Sequence, residues 1–450
     1  MAFFKEKWVS IVIFSLVILG VLLRISLYGQ LNLSIGNPDT SSYVDASRAP
    51  IFSMEAFTGR RLFTTNILYK LANDPQNCPL QAVSYPAEGD EGYRAIQPCF
   101  GNIALFQNWL SVFGWCLLAW TTARWIKNPL YKILVIILIL AFGFTPQIAE
   151  RDSVLAPESL SISLFAITLA LLQEIILLAT SDDQEAPFHK YGFLIPLWFI
   201  IFVLWIFIRD VHLYALLVTV ILTLPLLFIQ KFRKSVYIPL VIVVSILLFV
   251  FGNITSHNST RWQPSITHVF ADYIDPYPTR VEFFYKLGMP KDRSSQEYAV
   301  WFQDKALGSY SKFLLFHPRF LVSIIFEGSY FKSGFVQTYF KAPEVMHRET
   351  LLIIGEILHP ETYAVYVIDF LLLISICYTA IKSGRPGIYG MAWLALWMFF
   401  YLSVSLLLSF FGDTNGTGRH IFPSVEGFRL FGWIYLLVNM DLAGSRAPGP

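Results

Sequence analysis

The stretch VSIVIFSLVILGVLLRISLY (Val9–Tyr28), which runs straight into GQLNLSIGNPDTSSY (Gly29–Tyr43), decides the fold. A helix crosses the hydrocarbon core with about 20 mostly apolar residues, and here only Arg24 interrupts the run. The run is too long for a cleaved signal, and no small-residue cleavage site follows it, so it is expected to stay as a span. The second part turns abruptly polar and sets a carboxylate, Asp39, just beyond the membrane boundary.

Nine further runs of the same kind follow: Ile103–Trp120, Leu130–Thr145, Leu160–Thr180, Phe193–Ile208, Leu213–Gln230, Val236–Phe251, Ala364–Ile381, Ile388–Phe411 and Ile421–Met440. The composition agrees. Only 14% of the 450 residues are charged, against about 25% in soluble domains; 55% are apolar and the mean hydropathy is +0.55. A soluble enzyme and a secreted module are excluded. Thirty-three basic against thirty-one acidic residues leave no surplus for a nucleic-acid partner. The expected fold class is an all-α polytopic membrane protein of about ten transmembrane helices, one integral-membrane domain over residues 1–450.

Lys and Arg near the span ends orient it. With the N-terminus cytoplasmic, the inner side carries twelve, among them Lys5, Lys7, Arg124, Lys127, Lys190, Lys234, Arg385 and Arg446. The three short outer loops hold only Arg151, Arg209 and Arg419. Both termini are therefore expected in the cytoplasm of a cell inner or plasma membrane. Two long loops, 29–102 and 252–363, then fall outside. Structureless loops of that length are rare, so short helices on the membrane surface are expected, including a pair over Tyr298–Phe331 broken at His317-Pro318. Cys78 and Cys99 share the first outer loop, where a disulfide would stabilise a weakly cored segment, two free thiols being the alternative.

Ionisable residues collect on that outer side. Each short outer loop carries an Arg beside an acid: Glu150-Arg151-Asp152, Arg209-Asp210, and Asp413 with Arg419-His420. The first long loop adds Asp39 and Arg60-Arg61, and Arg24 ends the first span. Polar groups at a membrane boundary mark a site by default. Plainer roles compete at each position. Asp39 could cap a short helix; Glu158 after Pro157 could complement a helix dipole; Arg209-Asp210 could pair within a tight turn; Arg60-Arg61 could meet lipid headgroups; His212, His317 and His359 read as structural. As a group, arginines hold phosphate oxygens bidentately, and a carboxylate within reach of a hydroxyl can serve as general base. The combination suits sugar transfer from a lipid phosphate to an alcohol.

At this point the chain resembles the GT-C superfamily of integral-membrane glycosyltransferases, which use polyprenyl-phosphate-linked sugars on the non-cytoplasmic face. Asp39 in Asn37-Pro38-Asp39-Thr40-Ser41-Ser42-Tyr43 matches the superfamily's acidic residue after the first span, and Glu150-Arg151-Asp152 its polar loop after the third. Gly59-Arg60-Arg61-Leu62-Phe63-Thr64, Pro157-Glu158-Ser159, Arg209-Asp210 and Gly418-Arg419-His420 look like a bacterial branch of it. The resemblance implies an inverting displacement with Asp39 as base. Arg60, Arg61, Arg209 and Arg419 are its candidates for the leaving phosphate, with His420 a further one. Glu150 and Asp152 would bind acceptor hydroxyls or, with Asp39, a divalent cation, though no residue requires a metal. The implied partners are a polyprenyl-phosphate-linked sugar donor, a glycan or lipid acceptor and membrane lipids. The chain departs from the superfamily in lacking a paired acid at the first-loop position and the Trp-Trp-Asp signature of oligosaccharyltransferases, which disfavours peptide glycosylation. A polysaccharide polymerase or ligase, a secondary transporter and a non-catalytic assembly protein are the competing readings.

Overall fold

The computed structural model describes residues 2–72, 77–81, 96–180, 191–233, 235–327 and 345–444. Among the described residues the regular structure is helical, and Ile35 makes isolated bridges to Ile96 and Val154. The chain is an all-α polytopic membrane protein.

Each of the ten apolar runs forms a helix, but not ten equal spans. Among the described residues, eight helices are long and apolar enough to cross a membrane. The first is Ala2–Tyr28, and Pro157–Thr180, Ala364–Ser383, Pro386–Gly412 and Thr417–Gly444 are among the others. A ninth forms only by joining Pro129–Phe144 to Pro146–Ser153 across a 47° bend. Pro146 lacks an N–H and starts a new helical turn there, which folds Glu150-Arg151-Asp152 back into the protein instead of leaving it as an open loop. Tyr191–Ile206 is shorter, at 16 residues. The sixth run is α-helical only over Tyr214–Thr223, because Pro225 turns the next residues into a tighter 3-10 segment, Leu224–Phe228. Three of the inner charges used for orientation, Lys190, Lys234 and Arg446, lie outside the described residues.

Local signals set the helix ends. Asn128 accepts a hydrogen bond from the Leu130 amide ahead of Pro129 at the first helical position. Gly384, at φ +64°, ends the Ala364–Ser383 helix in the left-handed region that glycine tolerates best. The Pro157–Thr180 helix is the hub. It is buried continuously from Pro157 to Gln173, and it packs against Gly101–Trp125, Tyr191–Ile206 and Pro386–Gly412. A Cβ at Gly114 would stand 2.9 Å from the Ser163 carbonyl oxygen, so only glycine permits that approach. The outward faces of the peripheral helices carry Ile11, Phe14, Leu22, Leu240, Leu247 and Leu371, the apolar surface expected of lipid contact.

Both long loops fold into short helices. The first holds Thr40–Ser47, Glu55–Thr58 and Phe63–Ala72. The second includes Trp262–Val269, Leu307–Phe316, Pro318–Glu327 and Arg348–Leu358, with a break at His317-Pro318; the end of the expected pair, 328–331, lies outside the described residues. Cys78 and Cys99 are joined by a disulfide at a sequence separation of 21. Constraining a loop of that size is worth about 3 kcal/mol in the chain-entropy account. Replacing both cysteines by serine is therefore expected to lower the melting temperature by several degrees. A melting temperature indifferent to the substitution would mean that other contacts hold the segment.

Candidate functional site

Asp39 stands at the entry to the Thr40–Ser47 helix. Its own amide bonds to the Asn37 side chain at 2.8 Å, while Thr40 Oγ1 donates to the Leu155 carbonyl at 3.0 Å. Ile35 is stitched to Ser153 and Leu155 through backbone bonds, so the start of the Pro157–Thr180 helix positions this turn. The Asp39 side chain makes no capping bond. It reaches instead to two arginines: Arg61 donates to one oxygen at 3.0 Å, and Arg419 pairs with the other. Arg61 also donates to Ser42 Oγ at 2.7 Å and to the Tyr43 hydroxyl at 3.1 Å, with its guanidinium over the Tyr43 ring.

Glu158, in the first turn of its helix, accepts from Arg209 at 2.6 Å and faces Arg419 Nε at 3.3 Å. Arg419 thus bridges Asp39 and Glu158. Arg209 donates further to the Arg419 and His420 carbonyls, at 3.3 and 3.2 Å. Arg209 and Asp210, neighbours in sequence, do not close on each other: Asp210 takes a two-pronged pair from Arg261, at 2.8 and 2.9 Å. Arg261 donates as well to the Phe57 carbonyl at 3.0 Å, which ties the second long loop to the first beside Arg60-Arg61.

The arginines of this network line a cavity of about 400 Å³, where Arg61, Arg209, Arg261 and Arg419 are joined by Arg60, His420, Asp210 and Asp413; Asp39 and Glu158 adjoin it through their ion pairs with Arg61, Arg209 and Arg419. Arg60 is exposed there and has no described ion-pair partner. Burial pushes the Asp39 carboxyl upward, but Arg419 and Arg61 outweigh it and hold the group below its ordinary 3.8. Asp39 is therefore ionised throughout the neutral and mildly acidic range. Its ion pairs add stability that is complete above about pH 4 and lost only as pH falls through the lowered value. Burial raises the Tyr43 phenol against the opposing charge of Arg61, which keeps it a neutral donor and acceptor.

The remaining sequence candidates sit elsewhere. Asp152 is buried and pairs with Arg24 at 3.1 Å, accepting also from Ser159 at 2.6 Å. Arg24 also donates to Asn108 at 2.8 Å and to the Ala149 carbonyl at 3.0 Å. Glu150 takes both prongs of Arg348, at 2.5 and 3.1 Å. Arg151 lies over the Phe422 ring and donates to the Gln147 carbonyl. The Glu150-Arg151-Asp152 turn is thus committed to the packing of spans and to the Arg348–Leu358 helix. Among the described residues, no group of three or more His, Cys, Asp or Glu side chains is placed to hold a metal ion, and Glu150 and Asp152 each face an arginine. His212 bridges Ser161 and Tyr401 at 2.8 and 2.9 Å, and His359 bridges Thr145 and Glu426 at 2.9 and 2.6 Å.

Sequence reasoning passed over Arg261. The available signal was an Arg-Trp pair immediately beyond the Tyr237–His257 helix, at a membrane boundary. A larger cavity, about 780 Å³, lies around Ile176, Trp198, Thr223 and Trp393 at the other end of the Pro157–Thr180 helix. Its apolar walls suit a hydrocarbon chain, and no Asp, Glu, Lys, Arg or His lines it among the described residues.

No protein-family model matches the chain, and no curated protein matches it. Among solved structures it is similar to the archaeal oligosaccharyltransferase AglB from Archaeoglobus fulgidus, in complex with an inhibitory peptide and a dolichol-phosphate. The TM-score is 0.44 and the identity 12%, over 99% of this chain and 52% of that one. The chain thus spans about half the length of that protein.

Proposed function

We propose that this chain is a membrane glycosyltransferase that moves a sugar from a polyprenyl-phosphate donor to an acceptor hydroxyl, on the extracytoplasmic face and with inversion. The observation that carries the reading is the convergence of five arginines on one cavity at the end of the helix bundle, three of them interlocked with Asp39 and Glu158. Arginine forks match phosphate oxygens, and a fixed array of them stabilises charge where it develops in a transition state. The charge balance supports a monophosphate donor. Five arginines face Asp39, Glu158, Asp210 and Asp413, so among these acids and arginines one positive charge is left over. A phosphodiester carries one negative charge.

In this mechanism the acceptor oxygen bonds to the anomeric carbon. The bond from that carbon to the phosphate oxygen breaks, and its electron pair stays on the lipid phosphate. Arg60 meets the incoming phosphate, Arg61 and Arg419 turn toward it, and an Asp39 oxygen so released takes the acceptor's proton. Asp39→Asn is expected to lower transfer by about 10²–10⁴-fold with normal membrane insertion and a melting temperature only modestly reduced by the lost ion pairs. Near-wild-type transfer by a folded Asp39→Asn protein would remove Asp39 as the base. The whole reading is tested by mass spectrometry of co-purifying lipids, followed by turnover of added polyprenyl-phosphate sugars. Retained lipid-phosphate sugar, enriched in Asp39→Asn, is the expected result. Its absence together with no turnover would move the assignment to transport or assembly.

A further inference from the structure

The apolar cavity of about 780 Å³ lies at the end of the bundle away from the arginines. Glu158 adjoins the arginine cavity and Ile176 lines the apolar one, both on the Pro157–Thr180 helix. The helix from Glu158 to Ile176 is about 27 Å long at a rise of 1.5 Å per residue. The hydrocarbon core is about 30 Å thick, so the two cavities lie near opposite leaflets. The walls of the apolar cavity include the last turns of Pro157–Thr180 and Ala364–Ser383 and the first turns of Tyr237–His257 and Pro386–Gly412. Polar atoms in these walls are spent on the protein itself. Thr180 Oγ1 donates to the Ile176 carbonyl at 2.7 Å, Thr219 Oγ1 to the Ala215 carbonyl at 2.7 Å, and Trp393 Nε1 to the Leu222 carbonyl at 2.9 Å. The interior therefore suits hydrocarbon. It is open to the outside of the bundle, because Ile229, Ile381 and Tyr389 line it and are also exposed.

Three bases stand beside the lining residues. Arg233 follows Phe232, Lys382 follows Ile381, and Arg385 lies between Gly384 and Pro386. All three are exposed, and among the described residues none has an ion-pair partner; Lys382 rests 5.9 Å from the centre of the Tyr378 ring. We infer that this end of the bundle is a binding site for one anionic glycerophospholipid of the surrounding bilayer, with an acyl chain in the cavity and the phosphate on Arg233, Lys382 and Arg385. The apolar walls select the chain, whose burial removes hydrocarbon surface from contact with the polar boundary. Charge complementarity selects the head: clustered bases at a membrane boundary attract anionic headgroups, and guanidinium forks match phosphate oxygens. The head of a polyprenyl-phosphate donor held by the arginine cavity would stand about 27 Å away, out of reach of these bases. The inference stands apart from the transfer reading.

The test is native mass spectrometry of the full chain in a neutral detergent, with phosphatidylglycerol and phosphatidylcholine of identical chains offered together. One phosphatidylglycerol is expected to stay bound, preferred over phosphatidylcholine by at least about tenfold given three bases at headgroup level. The triple variant Arg233→Ser/Lys382→Ser/Arg385→Ser should abolish that preference. Lys291→Ser/Lys312→Ser, which alters exposed bases of the second long loop, should leave it unchanged. Melting temperature verifies folding, and Arg385→Ser alone, expected to lower the preference several-fold, serves if the triple variant is not folded. Equal retention of the two lipids, or a preference untouched in the folded variants, overturns the site. Excess glycerol phosphate should leave the bound lipid in place; displacement by it would mean a headgroup contact only and overturn the role of the cavity. Retention of a polyprenyl phosphate ahead of phosphatidylglycerol, lost in the same variants, would assign the cavity to the donor and overturn the inference as well.

Discussion

Arg419→Ala is expected to lower kcat/KM for lipid-phosphate sugar transfer on the order of 10³-fold, the upper range for loss of one preorganised donor to developing charge. By the usual conversion this is about 4 kcal/mol of transition-state stabilisation. The expectation rests on position: among the cavity arginines, Arg419 is the one that touches both Asp39 and Glu158. Removing it frees two carboxylates to repel the donor phosphate. Folding should survive, because Asp39 keeps Arg61 and Glu158 keeps Arg209; the backbone carbonyls of residues 419 and 420 that receive Arg209 also remain. Arg419→Lys should recover little, since a single ammonium cannot reproduce a planar fork spread over two carboxylates. Paired measurements of transfer rate and melting temperature check this. A folded Arg419→Ala protein with wild-type kcat/KM would show that the network is structural.

The opposite pattern is expected at the Glu150-Arg151-Asp152 turn. Arg24→Leu leaves Asp152 buried with its guanidinium partner gone and hydroxyl groups, Ser159 and Ser111, in its place. Orphaning a buried charge in this way costs about 3–5 kcal/mol, which should appear as poor yield and a markedly lower melting temperature. The double variant Arg24→Leu/Asp152→Asn should be more stable than Arg24→Leu alone, because the uncompensated charge is gone. Protein that folds should bind the donor normally. An Asp152→Asn protein with unchanged melting but a raised KM would return Asp152 to the substrate site.

The contrast between these two clusters shows how far the sequence could be read. Asp39, Arg60, Arg61, Glu158, Arg209 and Arg419 are singled out by residue type at a span boundary, and they come together around one cavity or its ion pairs. Glu150 and Asp152 carry the same signature and yet pair inward, with Arg348 and Arg24. Nothing local distinguishes the two cases. The 47° bend at Pro146 turns one acid-containing loop into the protein, whereas Arg209-Asp210 leads into a turn at the cavity. Arg261 and Asp413 gain their meaning only from the elements they touch: Arg261 from Asp210 and the Phe57 carbonyl, Asp413 from Ser265 and His268.

What the sequence by itself determined is the membrane class, the helical runs and the gathering of charge at their ends. These follow from hydropathy summed over about 20 consecutive residues, a local quantity that distant parts of the chain do not alter. The bend at Pro146 and the tighter 3-10 segment at Pro225 were also latent in those prolines, though their geometry was not. Which charge meets which was left to the tertiary structure. Pairing requires side chains remote in sequence, such as Asp39 and Arg419, to arrive within about 3 Å in the right orientation. That depends on how each helix is rotated and packed against the Pro157–Thr180 hub.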